Sequence, residues 1–181
     1  MKILKLSIIL IFVFSFSYGQ KINWQVDAEK SFIKYEGKHA LHEWTGINSK
    51  IYGLAVSLKE VLTIKKIALL IYVRDFDSKN SGRDSRSLEV LEALQFPEIK
   101  FYSESIDIKN NIATFNDGSL EFHGIKINKT FSSSFEVNNN VISFNGELNL
   151  LTSDFGIELP SFMLFKMEDL LIVSYSIVLT K

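Results

Sequence analysis

The side chains best suited to chemistry at neutral pH are the three histidines, and their spacing limits what they can do. His39 and His42 stand three residues apart and His123 lies far downstream, so the three together would offer a nitrogen set for zinc. In an extended chain, residues i and i+3 point to opposite faces, so a strand there would separate the pair, and no metal ligand is assigned. Nucleophilic chemistry has no frame either: the chain has no cysteine, no GxSxG elbow and no HExxH pair. The sequence thus offers no catalytic residue and implies no cofactor. Arg83 and Asp84 remain as a charged pair at the start of an apolar stripe. Arg83 can grip a polar or phosphate head group through forked hydrogen bonds; equally, Asp84 can cap a helix while Arg83 pairs locally. Trp44 is either a stacking residue at a pocket mouth or a core or rim aromatic.

The elements that must position these groups read mainly as strands. Ten short segments, Asn23 to Asp27, Ser31 to His39, Ser49 to Leu58, Ile64 to Asp75, Glu98 to Ile108, Ile112 to Phe115, Gly118 to Gly124, Lys129 to Val137, Val141 to Leu151 and Leu170 to Leu179, are bounded by Asn, Asp, Gly and Ser. Tight turns are expected at Lys109-Asn110-Asn111, Asn116-Asp117-Gly118 and Asn138-Asn139-Asn140, where these residues tolerate positive φ. Hairpins of this kind imply antiparallel pairing, and their number implies a sandwich or barrel. One helix is expected from Asp84 to about residue 95, with Asp84 as its cap, Leu88, Val90, Leu91 and Leu94 as its apolar stripe and Pro97 as its stop. It would lie across an opening or a face of the barrel.

Period-two alternation names the inward rows: Ile71 and Val73, Phe101 and Ser103, Leu120 and Phe122, Phe131 and Phe135. Burial follows from the alternation, but a solid core and a tunnel wall would use the same residues. The runs IALLIY from Ile67 and Leu170 to Val173 are apolar on both faces, which leaves room for a homodimer on the outer one. The stretch Gly156 to Asp169 has no clean period yet holds Phe162, Met163, Phe165 and Met167, and reads as an ordered lid or flank, with these four as candidates for the mouth.

Composition and the N-terminus set the compartment. Lys2 and Lys5 precede an apolar run from Leu6 to Phe16 and the small residues Ser17 and Gly19, a secretory signal pattern over 1–19. That run is shorter than the ~20 residues a bilayer core requires, so a periplasmic or secreted protein without a membrane span is expected. Removal of Lys2 and Lys5 leaves 20 − 2 = 18 basic against 21 acidic residues, a net charge near −3 with no basic stripe. Nucleic acid is not an expected partner. The remaining 162 residues suit one domain. Without cysteine, that domain must hold by packing and backbone pairing.

Several of these landmarks coincide with one family. Trp24-Gln25-Val26-Asp27 followed by Ser31-Phe32-Ile33 resembles the opening of YceI-like proteins. Gly82 to Leu88 followed by Phe96-Pro97-Glu98-Ile99-Lys100-Phe101-Tyr102-Ser103 resembles their middle element. Gly118 to Ile125 and Ser153 to Ile157 resemble the late ones, and His39 to Gly46 is similar to a variant seen in some branches. Arg86 stands where many members carry histidine, and residues 158–168 are more apolar than the family loop. The resemblance implies an all-β, antiparallel, lipocalin-like barrel of about eight or more strands. It also implies non-catalytic carriage of a long apolar ligand: a polyisoprenoid, an isoprenoid quinone or a fatty amphiphile. Two other readings stay open, an envelope stress-related interaction module with a filled barrel and a metal-dependent or lipid-modifying enzyme.

Overall fold

The computed structural model describes residues 21–39, 42–58, 63–138, 140–162 and 165–181, with backbone alone at 161, 162, 165 and 166. The strands, in chain order, are β1 (Lys21–Val26), β2 (Phe32–His39), β3 (His42–Asn48), β4 (Ile51–Leu58), β5 (Thr63–Tyr72), β6 (Glu98–Ser103) and β7 (Ile106–Lys109). They continue with β8 (Ile112–Phe122), β9 (Ile125–Asn138), β10 (Val141–Leu151), the short β11 (Ser161–Phe162) and β12 (Phe165–Lys166), and β13 (Leu170–Thr180). Among the described residues one α-helix, α1 (Ser81–Val90), lies between β5 and β6. The signal segment 1–19 and Met163 lie outside the described residues.

Eight strands close the barrel in the order β1-β4-β5-β6-β8-β9-β10-β13, and β13 returns to β1 through Gln25↔Thr180 and Val26↔Leu179. Every pairing is antiparallel, as hairpin connections require. Above the short β1 contact, the same edge of β13 takes the β2–β3 hairpin, from Ile172↔Glu36 to Ser176↔Phe32. The free edge of that hairpin is tied off where Ile47 and Asp77 exchange both backbone hydrogen bonds, at 3.0 and 2.9 Å. The barrel is therefore eight-stranded at the β1 end and widened by a hairpin at the helix end.

Several boundaries differ from the sequence expectation, each for a local reason. Asn116-Asp117-Gly118 is not a turn: β8 runs straight through it, with a register shift between Phe115 and Gly118 and Asp117 at φ 52°. The same residue types that form a turn also form a bulge, and only the unbroken β9 opposite distinguishes the two. The true β8–β9 turn is His123-Gly124, at φ 49° and 74°, between the paired Phe122 and Ile125. The expected turn at Lys109-Asn110-Asn111 does form, with both asparagines at positive φ, whereas Asn139 of the third lies outside the described residues. β3 was not anticipated because its buried positions are Gly46 and Asn48, which leave no apolar alternation to read. Val73–Asp75 leave β5 as a 3-10 turn. The helix starts earlier than expected, capped by Asn80, whose Oδ1 accepts from the Arg83 N–H at 3.0 Å, while Asp84 instead accepts from the Ser78 N–H at 3.1 Å. It also ends at Val90 rather than near residue 95, so that Leu94 lies beyond it, fully exposed and outside the apolar stripe.

Below the helix, Trp24, Ile51, Ile67, Phe135, Ile142, Phe144 and Leu179 form a dense floor. The Trp24 indole N–H donates to the buried Ser57 Oγ at 2.8 Å, which satisfies both groups. The outer wall is less covered than two-sided hydrophobicity suggested. Ala68 and Leu70 are half-buried, and Tyr52 and Leu54 beside them are 54% and 52% exposed. Among the described residues, no helix is long and apolar enough to cross a membrane.

Candidate functional site

The inward rows are the physical origin of the site. On β13, Leu171, Val173, Tyr175 and Ile177 alternate inward, and on β10 so do Phe144, Leu148 and Leu150; the facing wall adds Ile67, Leu69, Ile71, Phe101 and Leu120. These side chains do not meet at the axis along the whole barrel. Between the floor and α1 they leave a cavity of about 240 Å³. The helix roofs it with Leu88, Val90 and Leu91, and Ile157, Leu159 and Met167 of the 156–169 segment close one side.

Glycines make part of the wall possible. Gly37 pairs with Trp44 across β2–β3, and a Cβ on Gly37 would sit 2.6 Å from Trp44 Cζ2, so the indole lies flat on the glycine. Tyr35 lies on its partner Gly46 in the same way, and Phe101 lies on Gly118, where a Cβ would stand 2.8 Å from Cε2. Each glycine lets a large ring cover backbone that would otherwise face the cavity. The signal for this was in the sequence, as an aromatic and a glycine two residues apart in YEG and WTG, but its meaning depended on the hairpin register.

The polar groups gather at the helix end. Arg74, Asp84, Ser87 and Glu168 line the opening, and the Arg83 guanidinium stacks 5.7 Å from the Trp44 ring centre while donating weakly to the Ser78 carbonyl at 3.4 Å. Burial pushes the Tyr35 phenol up, while hydrogen bonds with Trp44 and Ser87 pull it down. Among the described residues, Arg83 has no carboxylate partner. The mouth thus carries both signs of charge beside aromatic surface, an arrangement suited to an amphiphile's head group.

Of the inward residues named from sequence, Ile71, Val73, Phe101, Leu120, Phe122 and Phe131 line the cavity. Ser103 and Phe135 face inward but stand off it: Phe135 packs on Phe144 in the floor at 5.3 Å, and the Ser103 hydroxyl is buried without a hydrogen-bond partner among the described residues. Alternation assigns a face but not a depth, and depth separates these two from the rest. Trp44, Asp84 and Met167 line the mouth and Arg83 flanks it. The β11–β12 hairpin holds Phe162 and Phe165, whose side chains, like Met163, are outside the described set. Period-two reading of β10 and β13 would also have named Leu148, Leu150, Leu171 and Tyr175.

The three histidines do not come together. His39 and His42 are not separated along one extended strand but are direct cross-strand partners at the end of the β2–β3 hairpin, and His39 is also bridged to Met167. His123 is held elsewhere, Nδ1 at 3.0 Å from the Phe155 carbonyl and Nε2 at 3.0 Å from Glu92. Among the described residues no cluster of three or more histidines and carboxylates is arranged to hold a metal.

One carboxylate fastens the segment that closes the cavity. Asp169 accepts from Thr152 Oγ1 at 2.6 Å, the Ser153 N–H at 2.8 Å and Ser153 Oγ at 2.5 Å, joining the two ends of the 152–169 stretch. These bonds, from Ser153 first and then Thr152, hold the Asp169 carboxyl below its usual value of 3.8. A group with a depressed folded pKa stabilises above its unfolded pKa, and that contribution disappears as pH falls through the folded one. The Asp169→Asn variant is therefore expected to lose about 1–2 kcal/mol at neutral pH, and the difference from the parent should shrink below about pH 4. Urea titrations at neutral and acid pH measure both.

Comparison with known proteins agrees with this fold. The chain is similar in structure to Burkholderia cenocepacia BcnA, at 18% identity, 84% coverage of this chain, 98% of the other and a TM-score of 0.74. It is also similar to a polyisoprenoid binding domain from Saccharophagus degradans implicated in plant cell wall breakdown, at 11% identity, 87% and 97% coverage and a TM-score of 0.67. The Campylobacter jejuni YceI protein matches at 15% identity, 75% and 84% coverage and a TM-score of 0.64. No curated protein matches. The profile of the YceI-like domain matches residues 24–179, nearly the whole described chain, and the protein belongs to the YceI-like family.

Proposed function

We propose that this protein binds and carries a long apolar ligand, a polyisoprenoid, isoprenoid quinone or fatty amphiphile, in the cell envelope and does no chemistry on it. The observation that carries this reading is the apolar cavity, closed below by the Trp24 floor and lined with charged groups at its mouth. Eight strands give a barrel just wide enough to enclose one small ligand. Affinity would come from burying the chain at ~0.8 kcal/mol per CH₂, and the head group would rest near Arg83, Asp84 and Trp44. The solved polyisoprenoid binding domain of the same fold supports the ligand class, and the N-terminal signal pattern supports export to the periplasm or beyond.

Native mass spectrometry of the protein recovered from its own cell, followed by denaturation and lipid identification, tests both parts. One prenyl or fatty chain per protein, on a polypeptide lacking residues 1–19, is the expected result. An empty protein that also refuses added isoprenoid quinones and polyprenyl phosphates would overturn carriage, and an intact leader would overturn export. A second reading, an interaction module, is favoured by the exposed Tyr52 and Leu54 on the outer wall, although the cavity is at odds with its filled barrel. It predicts a dimer or bound protein in the same spectrum.

A further inference from the structure

Deep in the cavity wall is one polar pair that a purely apolar cargo does not explain. Tyr175 on β13 lies over its partner Gly146 on β10, and its hydroxyl reaches across the glycine to Ser133 Oγ on β9. Ser133 is 3% exposed, whereas Tyr175 lines the cavity between Val173 and Ile177. Its ring meets Phe131 edge-on at 6.4 Å.

Two hydroxyls share one hydrogen bond, and among the described residues neither makes a second. One O–H proton is therefore left over, and of the two residues only Tyr175 lines the cavity. A buried donor without an acceptor is unfavourable, so the site favours a guest that brings an acceptor. When Ser133 donates to Tyr175, the tyrosine proton points into the cavity and is polarised by the bond behind it. Burial pushes the Tyr175 phenol above its ordinary value, against the Ser133 hydrogen bond, so it remains a donor at neutral pH.

We propose that Tyr175 is a specificity-determining donor of the cavity, its hydroxyl receiving a carbonyl or similar oxygen acceptor on the leading end of the apolar ligand. This rests on the carrier reading above, and it adds that the buried end of the cargo carries an oxygen acceptor, besides any head group at the mouth.

The test compares a long-chain methyl ketone with the n-alkane of equal length, each titrated into the purified protein by native mass spectrometry. Tyr175→Phe should weaken ketone binding about fivefold, the loss of one neutral hydrogen bond, and leave the alkane unchanged. Ser133→Ala, which disturbs the same pair but keeps the donor, should retain the ketone preference; thermal unfolding of both variants confirms that they fold. Equal weakening of ketone and alkane by Tyr175→Phe, or no change in either, would overturn the donor role while leaving carriage standing. Failure of the parent protein to bind either compound would overturn carriage itself.

Discussion

Replacing Val173 with tryptophan is expected to weaken binding of a long apolar ligand about tenfold or more while leaving the fold intact. Val173 sits midway up β13, paired with Leu148 and Tyr35 and facing the cavity. An indole there occupies the volume of several methylenes. Excluding even two of them, at ~0.8 kcal/mol each, accounts for a tenfold loss. The stability readout separates a cavity from a core: in a packed interior the same substitution costs about 1–3 kcal/mol through forced rotamers, whereas into open space it costs little. Titration with an isoprenoid quinone, alongside thermal unfolding, gives both numbers. A variant that melts several degrees lower yet binds as before would show that the space above the floor is not the binding site.

The largest stability effect is expected at the other end of the barrel. Trp24 is 1% exposed, packed among the floor residues with its N–H on Ser57. Trp24→Ala removes the indole and leaves a void at the place where β1 and β13 close the cylinder, for a loss of about 3–5 kcal/mol. Against a typical 5–15 kcal/mol for a domain, and with no disulfide in reserve, that is a large share. Trp24→Phe keeps most of the volume but strands the Ser57 hydroxyl, and should fall between the two. Denaturant unfolding of the three proteins orders them; a parent-like Trp24→Ala would mean that the floor is not what holds the barrel closed.

Much of this architecture was legible in the residues. Alternation set the facing of Leu120 and Phe122 on β8 and of Phe131 and Phe135 on β9, because a half-buried strand must repeat every two residues, while Val137 at the end of the same row is exposed. Paired asparagines at 110 and 111 marked a real hairpin, because two successive positive φ angles are tolerated by few other types. The elements that escaped include two whose signal is not hydrophobic: β3, buried through Gly46 and Asn48, and the helix cap, where Asn80 takes the place expected of Asp84, whose carboxylate is held by the Ser78 N–H.

By itself, then, the sequence determined most of the strands, the facing of their apolar rows, the antiparallel pairing and the family resemblance, since these depend on neighbours a few residues apart. Depth along the barrel axis was decided only in three dimensions. Phe131 borders the cavity and Phe135 the floor although they share a strand and a face, because the strands on either side determine what each one meets. The Tyr175–Ser133 pair belongs to the same class: 42 residues separate its members, and only the register of β13, β10 and β9 brings the two hydroxyls together over the one residue, Gly146, small enough to let them touch.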